Sequence, residues 1–326
     1  MTSLLFAQPQ PGVVASTAIE VPVSIDSVDE WLMRVHEASR RRAYVGIFVV
    51  SAGDSMSSAR IWHVCDGAQQ LERVESLTGP PRSTFRRNDQ VVTFFPQSRV
   101  VMEERRESLG KFPDLLKSNS SSIAQFYSAS ASGSERVAGF EADRVQLWPQ
   151  DGLRFGYRIW TEKKSGLLLK MQTLDGAGRV LEQAAFSELQ LDVPVSMNAL
   201  TQMMGNTRGY QVEKPGMVKI TATAEGWAMK TVVPGFKPMS CYKRLVKTGV
   251  GATYDNALQW VFSDGLASVS LFLEVFDARR HTAAGSAAAG ATHTLTRRIG
   301  NWWLTGVGEV PTHTLEIFAQ GLERIK

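Results

Sequence analysis

The chain has 326 residues, 43% hydrophobic, 9% aromatic and 21% charged, a composition that allows a sizeable core and excludes a mainly disordered or coiled-coil protein. Its length favours two domains, and no apolar run approaches the ~20 residues that a membrane-spanning helix needs. Net charge is −4 over residues 1–30, +3 over 31–198 and +5 over 199–326, and the cations are too scattered for a nucleic-acid site.

The first 26 residues are predicted to be a flexible leader. Residues 1–7 resemble the end of a secretory signal peptide that lacks its charged part and most of its apolar part. Three prolines and a glycine between residues 9 and 22 disfavour regular structure. The leader is therefore either a truncated signal peptide or a plain extension.

A helix is predicted to begin at Ser27, because Ser27 and Glu30 have the spacing of a capping box. The basic run at 40–42 suits the C-terminal end of that helix, where cations meet the negative end of the helix dipole. Its apolar face is predicted to consist of Trp31, Leu32, Val35 and Ala38.

Antiparallel strands are predicted from Tyr44 onward, where short runs rich in β-branched and aromatic residues alternate with Gly, Asp, Asn and Pro. Residues 111–127 break this rhythm and are predicted to form a helical insert, followed by a polar loop at 128–135. Together these elements make a first domain over residues 27–198. Its predicted strands are 44–50, 58–65, 73–77, 83–87, 90–95, 100–104, 136–138, 143–148, 154–161, 167–174 and 180–189.

A linker is predicted over residues 199–216 and a smaller second domain over 217–326. A final helix is predicted from Pro311 to about Gly321, and residues 282–292, rich in Ala, Gly and Ser, are predicted to be a loop of little regular structure. The predicted strands of this domain are 219–224, 240–246, 256–263, 268–275, 293–299 and 301–306.

Motifs for catalysis, cofactors and metals are missing from the sequence. Residues 285–292 have the outer spacing of a P-loop, but Ala291 stands where the phosphate-binding lysine belongs. The five histidines and two cysteines lack the spacing of a zinc site. Two free thiols are favoured over a Cys65–Cys241 disulfide, although an oxidising compartment would permit one. The sequence therefore predicts a protein that is not an enzyme and holds no cofactor or metal.

The apolar residues of the first domain allow two interpretations. One is an ordinary core closed by a helix; the other is a sheet curved around an apolar cavity, with the insert as a lid over a hydrophobic ligand. Periodicity does not distinguish them. The candidate wall and lid residues are Phe48, Trp62, Phe94, Phe112, Leu116, Ile123 and Phe126.

Several segments, in the right order over about residues 28–325, resemble the RseB/MucB family of negative regulators of the sigma-E envelope-stress response. In the first domain they include Tyr44-x-Gly46-x-Phe48 and the runs 60–63, 79–82, 136–139, 154–160 and 166–170. In the second domain they include Trp227 and the runs 233–236, 262–270 and 307–311.

This resemblance implies an α+β fold, with a large N-terminal antiparallel β half-barrel similar to the lipoprotein carriers LolA and LolB, a helical lid, and a smaller C-terminal domain of mixed sheet plus helix. It also implies a periplasmic regulator that binds the periplasmic domain of an RseA/MucA-type anti-sigma factor and shields it from proteolysis, until lipid or lipopolysaccharide releases it. The alternative is a periplasmic lipid or lipoprotein carrier that uses the same cavity. Whether the protein forms a homo-oligomer stays open.

The second domain is the predicted partner-binding region, because its net charge of +5 would speed association with an acidic segment. The family resemblance supports this domain without naming individual contacts. The candidate contact residues are Lys243, Arg244, Lys247, Arg279, Arg280, Arg297 and Arg298.

Overall fold

A computed structural model describes residues 23–24, 28–67, 69–105, 112–113, 116, 123–248 and 253–325. Most of the predicted leader, the predicted cap residue Ser27 and most of the predicted insert lie outside these residues. No helix in the described ranges is long and apolar enough to cross a membrane.

The first domain is a large sheet with one helix before its long strands and one after them. Its elements are β1 (Val23–Ser24), α1 (Val28–Arg40), β2 (Tyr44–Ala52), β3 (Ser55–Cys65), β4 (Gln70–Ser76), β5 (Ser83–Arg87), β6 (Gln90–Phe95), β7 (Val100–Arg105), β8 (Tyr127–Val137), β9 (Phe140–Pro149), β10 (Gly156–Glu162), β11 (Leu168–Leu174), β12 (Val180–Leu191), α2 (Met197–Gly205) and β13 (Gln211–Glu213).

The second domain is a smaller sheet covered by the last helix. Its elements are β14 (Met217–Lys219), β15 (Trp227–Met229), β16 (Lys237–Thr248), β17 (Thr253–Ser263), β18 (Ser268–Val275), β19 (Gly285–Ala289), β20 (Thr292–Ile299), β21 (Trp302–Gly308), α3 (Thr312–Gly321) and β22 (Leu322–Arg324).

Strand order shows how the two sheets are built. The first sheet runs β1-β8-β9-β10-β11-β12-β2-β3-β4-β5-β6-β7-β13, and the second β14-β16-β17-β18-β21-β20-β19, with β15 and β22 paired separately. Neighbours are antiparallel except β13, which lies parallel to β7. The predicted α+β architecture, a large N-terminal sheet domain and a smaller C-terminal one, is confirmed.

The two faces of the first sheet carry different clusters. α1 buries Leu32 and Val35 against one face, as its predicted apolar stripe requires. α2 buries Leu200 and Met204 against another part of the sheet, together with strand residues around Phe85. In the second domain, Phe318 of α3 packs against the aromatic and aliphatic side chains of the smaller sheet.

Four predicted segments differ from the structure. One is the predicted strand 219–224, of which only Lys219 lies in a strand, β14, while residues 222–226 form turns. The predicted polar loop at 128–135 lies within β8, because backbone pairing with β9 and β1 overrides its Ser-rich composition. The predicted linker at 199–216 includes most of α2 and all of β13, which belong to the layers of the first domain. The predicted loop at 282–292 includes the hairpin strand β19.

A substitution of Gly46 on β2 tests how closely the first sheet is packed. A Cβ at this position would lie 2.7 Å from Cε1 of Phe186 and 2.8 Å from the backbone oxygen of Glu188. Since overpacking a core costs about 1–3 kcal/mol, we expect Gly46→Ala to lower the free energy of unfolding by that amount, measured by urea denaturation. Gly176→Ala is the control, because a Cβ there meets nothing within 4 Å. Equal stabilities of the two variants would contradict this packing.

Candidate functional site

The junction between the domains is organised by Arg154, which lies in the loop between β9 and β10. Its side chain and that of Asp264 are both fully buried, and its Nε donates to Oδ2 of Asp264 at 2.7 Å. Its remaining guanidinium nitrogens bond to the carboxylate of Asp151 and to the backbone oxygen of Pro234. One first-domain side chain thus bridges two separate segments of the second domain.

Asp264 is held in the connection between β17 and β18 by its own local bonds. Its Oδ1 accepts the backbone N–H groups of Leu266 at 3.0 Å and Ala267 at 2.7 Å. Its Oδ2 accepts Arg154 and the hydroxyl of Tyr127 at 3.3 Å. Because both oxygens are used, the buried charge is paired and hydrogen-bonded, which offsets much of the cost of removing it from water.

Aromatic rings enclose the Arg154 guanidinium on both sides of the junction. Its central carbon lies 4.2 Å from the ring centre of Phe126 and 5.0 Å from that of Phe236. Desolvated cation–π contacts of this kind stabilise a buried arginine. Burial also raises the pKa of Tyr127 and of its neighbour Tyr157 well above the usual range, so both phenols stay neutral at physiological pH.

A second set of contacts joins the domains around α3 and β20. The hydroxyl of Thr314 donates to the backbone oxygen of Leu153 at 2.8 Å. The rings of Phe155 and His293 meet edge to face with centroids 5.4 Å apart, and burial lowers the pKa of His293. His293 is therefore neutral at neutral pH and contributes an aromatic contact rather than a charge.

The candidate cavity residues separate into two groups. Phe112 lies between two rings, with its centroid 5.6 Å from that of Phe48 and 5.1 Å from that of Phe186. It also packs against the cluster under α1, which contains the remaining nominated residues Leu116, Ile123 and Phe126. The structure brings these five nominated residues together.

Trp62 and Phe94 lie elsewhere, in the cluster covered by α2. Register explains the separation: on the β2–β3 ladder Phe48 pairs with Ala59 and Trp62 with Val45, so Phe48 and Trp62 point to opposite faces. The guanidinium carbon of Arg73 lies 4.7 Å from the ring centre of Trp62 and covers one face of this ring.

The seven candidate partner-binding cations lie in separate places in the second domain, with Arg279 and Arg280 in the turn between β18 and β19. Lys243, Arg244 and Lys247 are positions of β16, whereas Arg297 and Arg298 are on β20. Three strands lie between β16 and β20, which separates them by about 19 Å at the usual strand spacing. The seven residues therefore do not form one patch.

Local pairing further divides these cations. Lys243 pairs with Glu225 at 3.3 Å, and Arg279 and Arg280 pair with Asp277 at 3.2 Å and 3.5 Å. Arg297 and Arg298 are exposed, and neither forms an ion pair with another residue in the described part of the chain. Arg298 instead donates its Nε to the backbone oxygen of Gly300 at 2.8 Å and lies over the ring of Phe276. Among the candidate cations whose side chains the structure describes, these two combine exposure with the absence of an ion pair.

Sequence patterns do not identify Arg154 and Asp264 as site residues. Both lie inside segments that resemble the family, and Asp264-Gly265 has a turn signal. A contact between residues 110 positions apart leaves no periodic pattern, so only the tertiary structure reveals the ion pair. In the described ranges, no group of His, Cys, Asp and Glu side chains is arranged to hold a metal ion.

Comparison with known proteins places both domains in one family. The MucB/RseB N-terminal domain matches residues 27–204, and the MucB/RseB C-terminal domain matches residues 221–323. The chain is 27% identical to the sigma factor AlgU regulatory protein MucB of Pseudomonas aeruginosa over 314 residues, 92% of this chain and 91% of that protein. It is 22% identical to the sigma-E factor regulatory protein RseB of Escherichia coli K12 over 295 residues, 90% of this chain and 89% of that protein.

Solved structures share the same fold. The crystal structure of MucB in complex with MucA(peri) aligns with a TM-score of 0.68 at 24% identity, covering 92% of this chain and 100% of that one. The Pseudomonas aeruginosa MucA/MucB complex aligns with a TM-score of 0.67 at 23% identity, covering 91% and 99%. Since the two domain matches span most of the sequence, the protein belongs to the MucB/RseB family.

Proposed function

We propose that the protein is a periplasmic regulator that binds the periplasmic part of a membrane-anchored MucA-type anti-sigma factor and protects it from regulated proteolysis. The observation that carries this proposal is membership of a family of sigma factor regulators over both domains, in relatives matched along about 90% of their own length. The relative MucB, which shares the fold, has been crystallised in complex with MucA(peri). We further propose that the protein acts by binding and not as an enzyme.

The test is direct binding followed by protease protection. The full chain is titrated by calorimetry with the purified periplasmic domain of the anti-sigma factor from the same organism. The initiating site-1 protease is then added to the free and the bound domain. Slower cleavage in the bound sample supports the proposal, and no binding at micromolar concentrations would exclude it.

A lipid is proposed as the releasing ligand, and the cluster around Phe112 as the place where an acyl chain enters. Phe48, Phe112 and Phe186 are in contact with one another, so an acyl chain would have to displace the Phe112 ring. Phe126 and Tyr127 contact Arg154 and Asp264 and follow the turn at Ile123 directly. A displacement of Phe112 would therefore be passed to the domain junction through Phe126 and Tyr127.

A lipid or lipoprotein carrier is the second candidate function. The apolar cluster between the sheet and α1 supports this candidate as well as lipid-triggered release. A carrier needs only the first domain, whereas this chain has a second domain joined to it through a buried ion pair. Lipid uptake without any binding to the anti-sigma factor would favour the carrier.

The cations on β20 give the first prediction on the interface. We expect the double substitution Arg297→Glu and Arg298→Glu to slow association with the anti-sigma domain by about tenfold at low salt, because both side chains are exposed and attract an acidic partner. Association is measured by surface plasmon resonance between about 50 and about 500 mM salt, because salt in this range progressively screens the attraction between exposed charges. The control is the double substitution Lys163→Glu and Lys164→Glu, which reverses two exposed charges on the first domain. Unchanged affinity and salt dependence would remove Arg297 and Arg298 from the interface.

The Phe112 ring gives a prediction on lipid uptake. We expect Phe112→Ala to strengthen binding of a fluorescent acyl probe about threefold or more, because truncation leaves space between Phe48 and Phe186. Phe276→Ala, in the second domain under Arg298, is the control for loss of one half-buried ring. A Phe112→Ala variant that binds the probe no better than the control would contradict an acyl site at this cluster.

The Arg154–Asp264 pair gives a prediction on domain coupling. We expect Asp264→Asn to lower the free energy of unfolding by up to about 3–5 kcal/mol, because it removes one of the two carboxylates that pair with the buried guanidinium and leaves Asp151 as its remaining counter-charge. Asp192→Asn is the control and should cost about 1 kcal/mol or less, because the Arg42–Asp192 pair is solvent-exposed. Both are measured by urea denaturation.

The same variants test whether the junction transmits the lipid signal. With lipopolysaccharide fragments present, the wild-type affinity for the anti-sigma domain should fall by about fivefold or more, and this ratio should shrink in Asp264→Asn but not in Asp192→Asn. An equal ratio in all three proteins would mean that coupling does not pass through the junction.

A further inference from the structure

β19 is the edge strand of the second sheet, and its geometry follows from a tight hairpin. Ala289 pairs with Thr292 across a two-residue turn of Gly290 and Ala291. Gly290 has φ +59°, as the first central residue of a type II′ turn requires. The hydroxyl of Thr296 donates to the backbone oxygens of Ala283 and Gly285 and fixes the start of the strand.

The hairpin register fixes which backbone groups of β19 are free to pair outward. In an antiparallel pair closed by a two-residue turn, the hydrogen-bonded positions are the closing pair and every second pair after it. Ala289, Ala287 and Gly285 therefore bond to β20. The N–H and C=O groups of Ser286 and Ala288 point away from the sheet.

This edge lacks the usual protection against strand addition. Natural edge strands carry charges, prolines or bulges that keep other strands away. Residues 282–292 contain no charged residue and no proline, and all five residues of β19 are exposed. Its side chains are no larger than serine, so an incoming backbone meets no steric obstacle. The opposite edge strand, β14, has three residues and ends in a lysine.

The size of the edge decides between two occupants. A second copy that paired through β19 alone would bury only five small residues on each side. The area they bury is far below the ~1,200–2,000 Å² of a stable interface. A segment of a partner already bound elsewhere needs no such area, because tethering raises its effective concentration. Arg297 and Arg298, two exposed nominated contacts, lie on the adjacent strand β20.

We propose that β19 accepts an extended segment of the anti-sigma factor's periplasmic domain, which adds a strand to the second sheet through the outward groups of Ser286 and Ala288. The segment is uncharged and β-prone where it pairs, with an acidic residue toward Arg297. This inference rests on the proposed function and assigns it a mode of binding, in which backbone pairing supplies contacts that Arg297 and Arg298 alone do not.

The position of the hairpin tip links this strand to the first domain. A Cβ at Gly290 would lie 2.6 Å from the Cβ of Ala52 and 3.2 Å from the backbone oxygen of Leu181. The tip of the β19–β20 hairpin therefore rests on the ends of two first-domain strands. One end of a strand added beside β19 would therefore lie near these first-domain strands.

The test compares two substitutions at one position in the full-length protein. Ala288→Pro removes the outward N–H and blocks an incoming strand, yet leaves the bonds to β20 intact, because a proline is tolerated on an edge where its nitrogen faces solvent. Ala288→Val keeps the N–H. We expect the proline variant to bind the anti-sigma domain about tenfold more weakly and the valine variant to bind within about twofold of wild type, with melting temperatures alike.

Amide hydrogen exchange provides a measurement on the unmodified chain. The Ser286 and Ala288 amides should exchange fast in the free protein and slow by about tenfold or more in the complex, whereas Ala287 and Ala289 are already protected. Binding by wild type with unchanged exchange at Ser286 and Ala288, or with full affinity in Ala288→Pro, would overturn the strand-addition mode alone. Absence of wild-type binding would overturn the proposed function as well. A wild-type dimer that Ala288→Pro dissociates would assign β19 to a second copy instead.

Discussion

A buried charge pair, Arg154 with Asp264, is the most constrained of the contacts between the two domains. If Arg154 left its site, the buried carboxylate of Asp264 would lose its charged partner. Asp264 itself is held in place by two backbone N–H groups of its own turn. Such a pair adds little stability over well-packed apolar residues, but breaking it costs several kcal/mol. The junction therefore discriminates strongly between one relative orientation of the domains and its alternatives, while contributing modestly to the overall stability.

The pair lies between the apolar cluster beneath α1 and the loops that support the second sheet. The residues that enclose Arg154 include Phe126 and Tyr127, which connect the apolar cluster beneath α1 to β8. On the other side, Pro234 and Asp264 belong to loops that support the second sheet. A change at the cluster and a partner at the second sheet would thus act on the same few contacts, which is the physical requirement for reciprocal coupling.

Local patterns predict most strands but not how the sheets are covered. Bounds such as Ser83–Arg87 and Gln90–Phe95 follow from short runs of β-branched and aromatic residues that end at turn residues, and α1 follows from its apolar stripe. The cavity candidates Trp62 and Phe94 pack in a different cluster from Phe48, because alternation indicates two faces without saying which helix covers each one. α2, whose Met-rich sequence lies partly in the predicted linker, covers the face that holds Trp62 and Phe94. Arg154 and Asp264 depend on a contact between distant residues, which no local pattern encodes.

The composition that makes residues 282–292 look like a loop also explains the character of β19. Gly, Ser and Ala have low strand propensity and offer few cross-strand contacts, so this strand depends on its hydrogen bonds to β20 and on the turn at Gly290. Larger β-branched or aromatic side chains would have made the strand easier to recognise in the sequence, whereas charged side chains would have protected its edge from another backbone. The weak sequence signal and the unprotected edge therefore both follow from the composition of residues 285–289, whose side chains are small and uncharged.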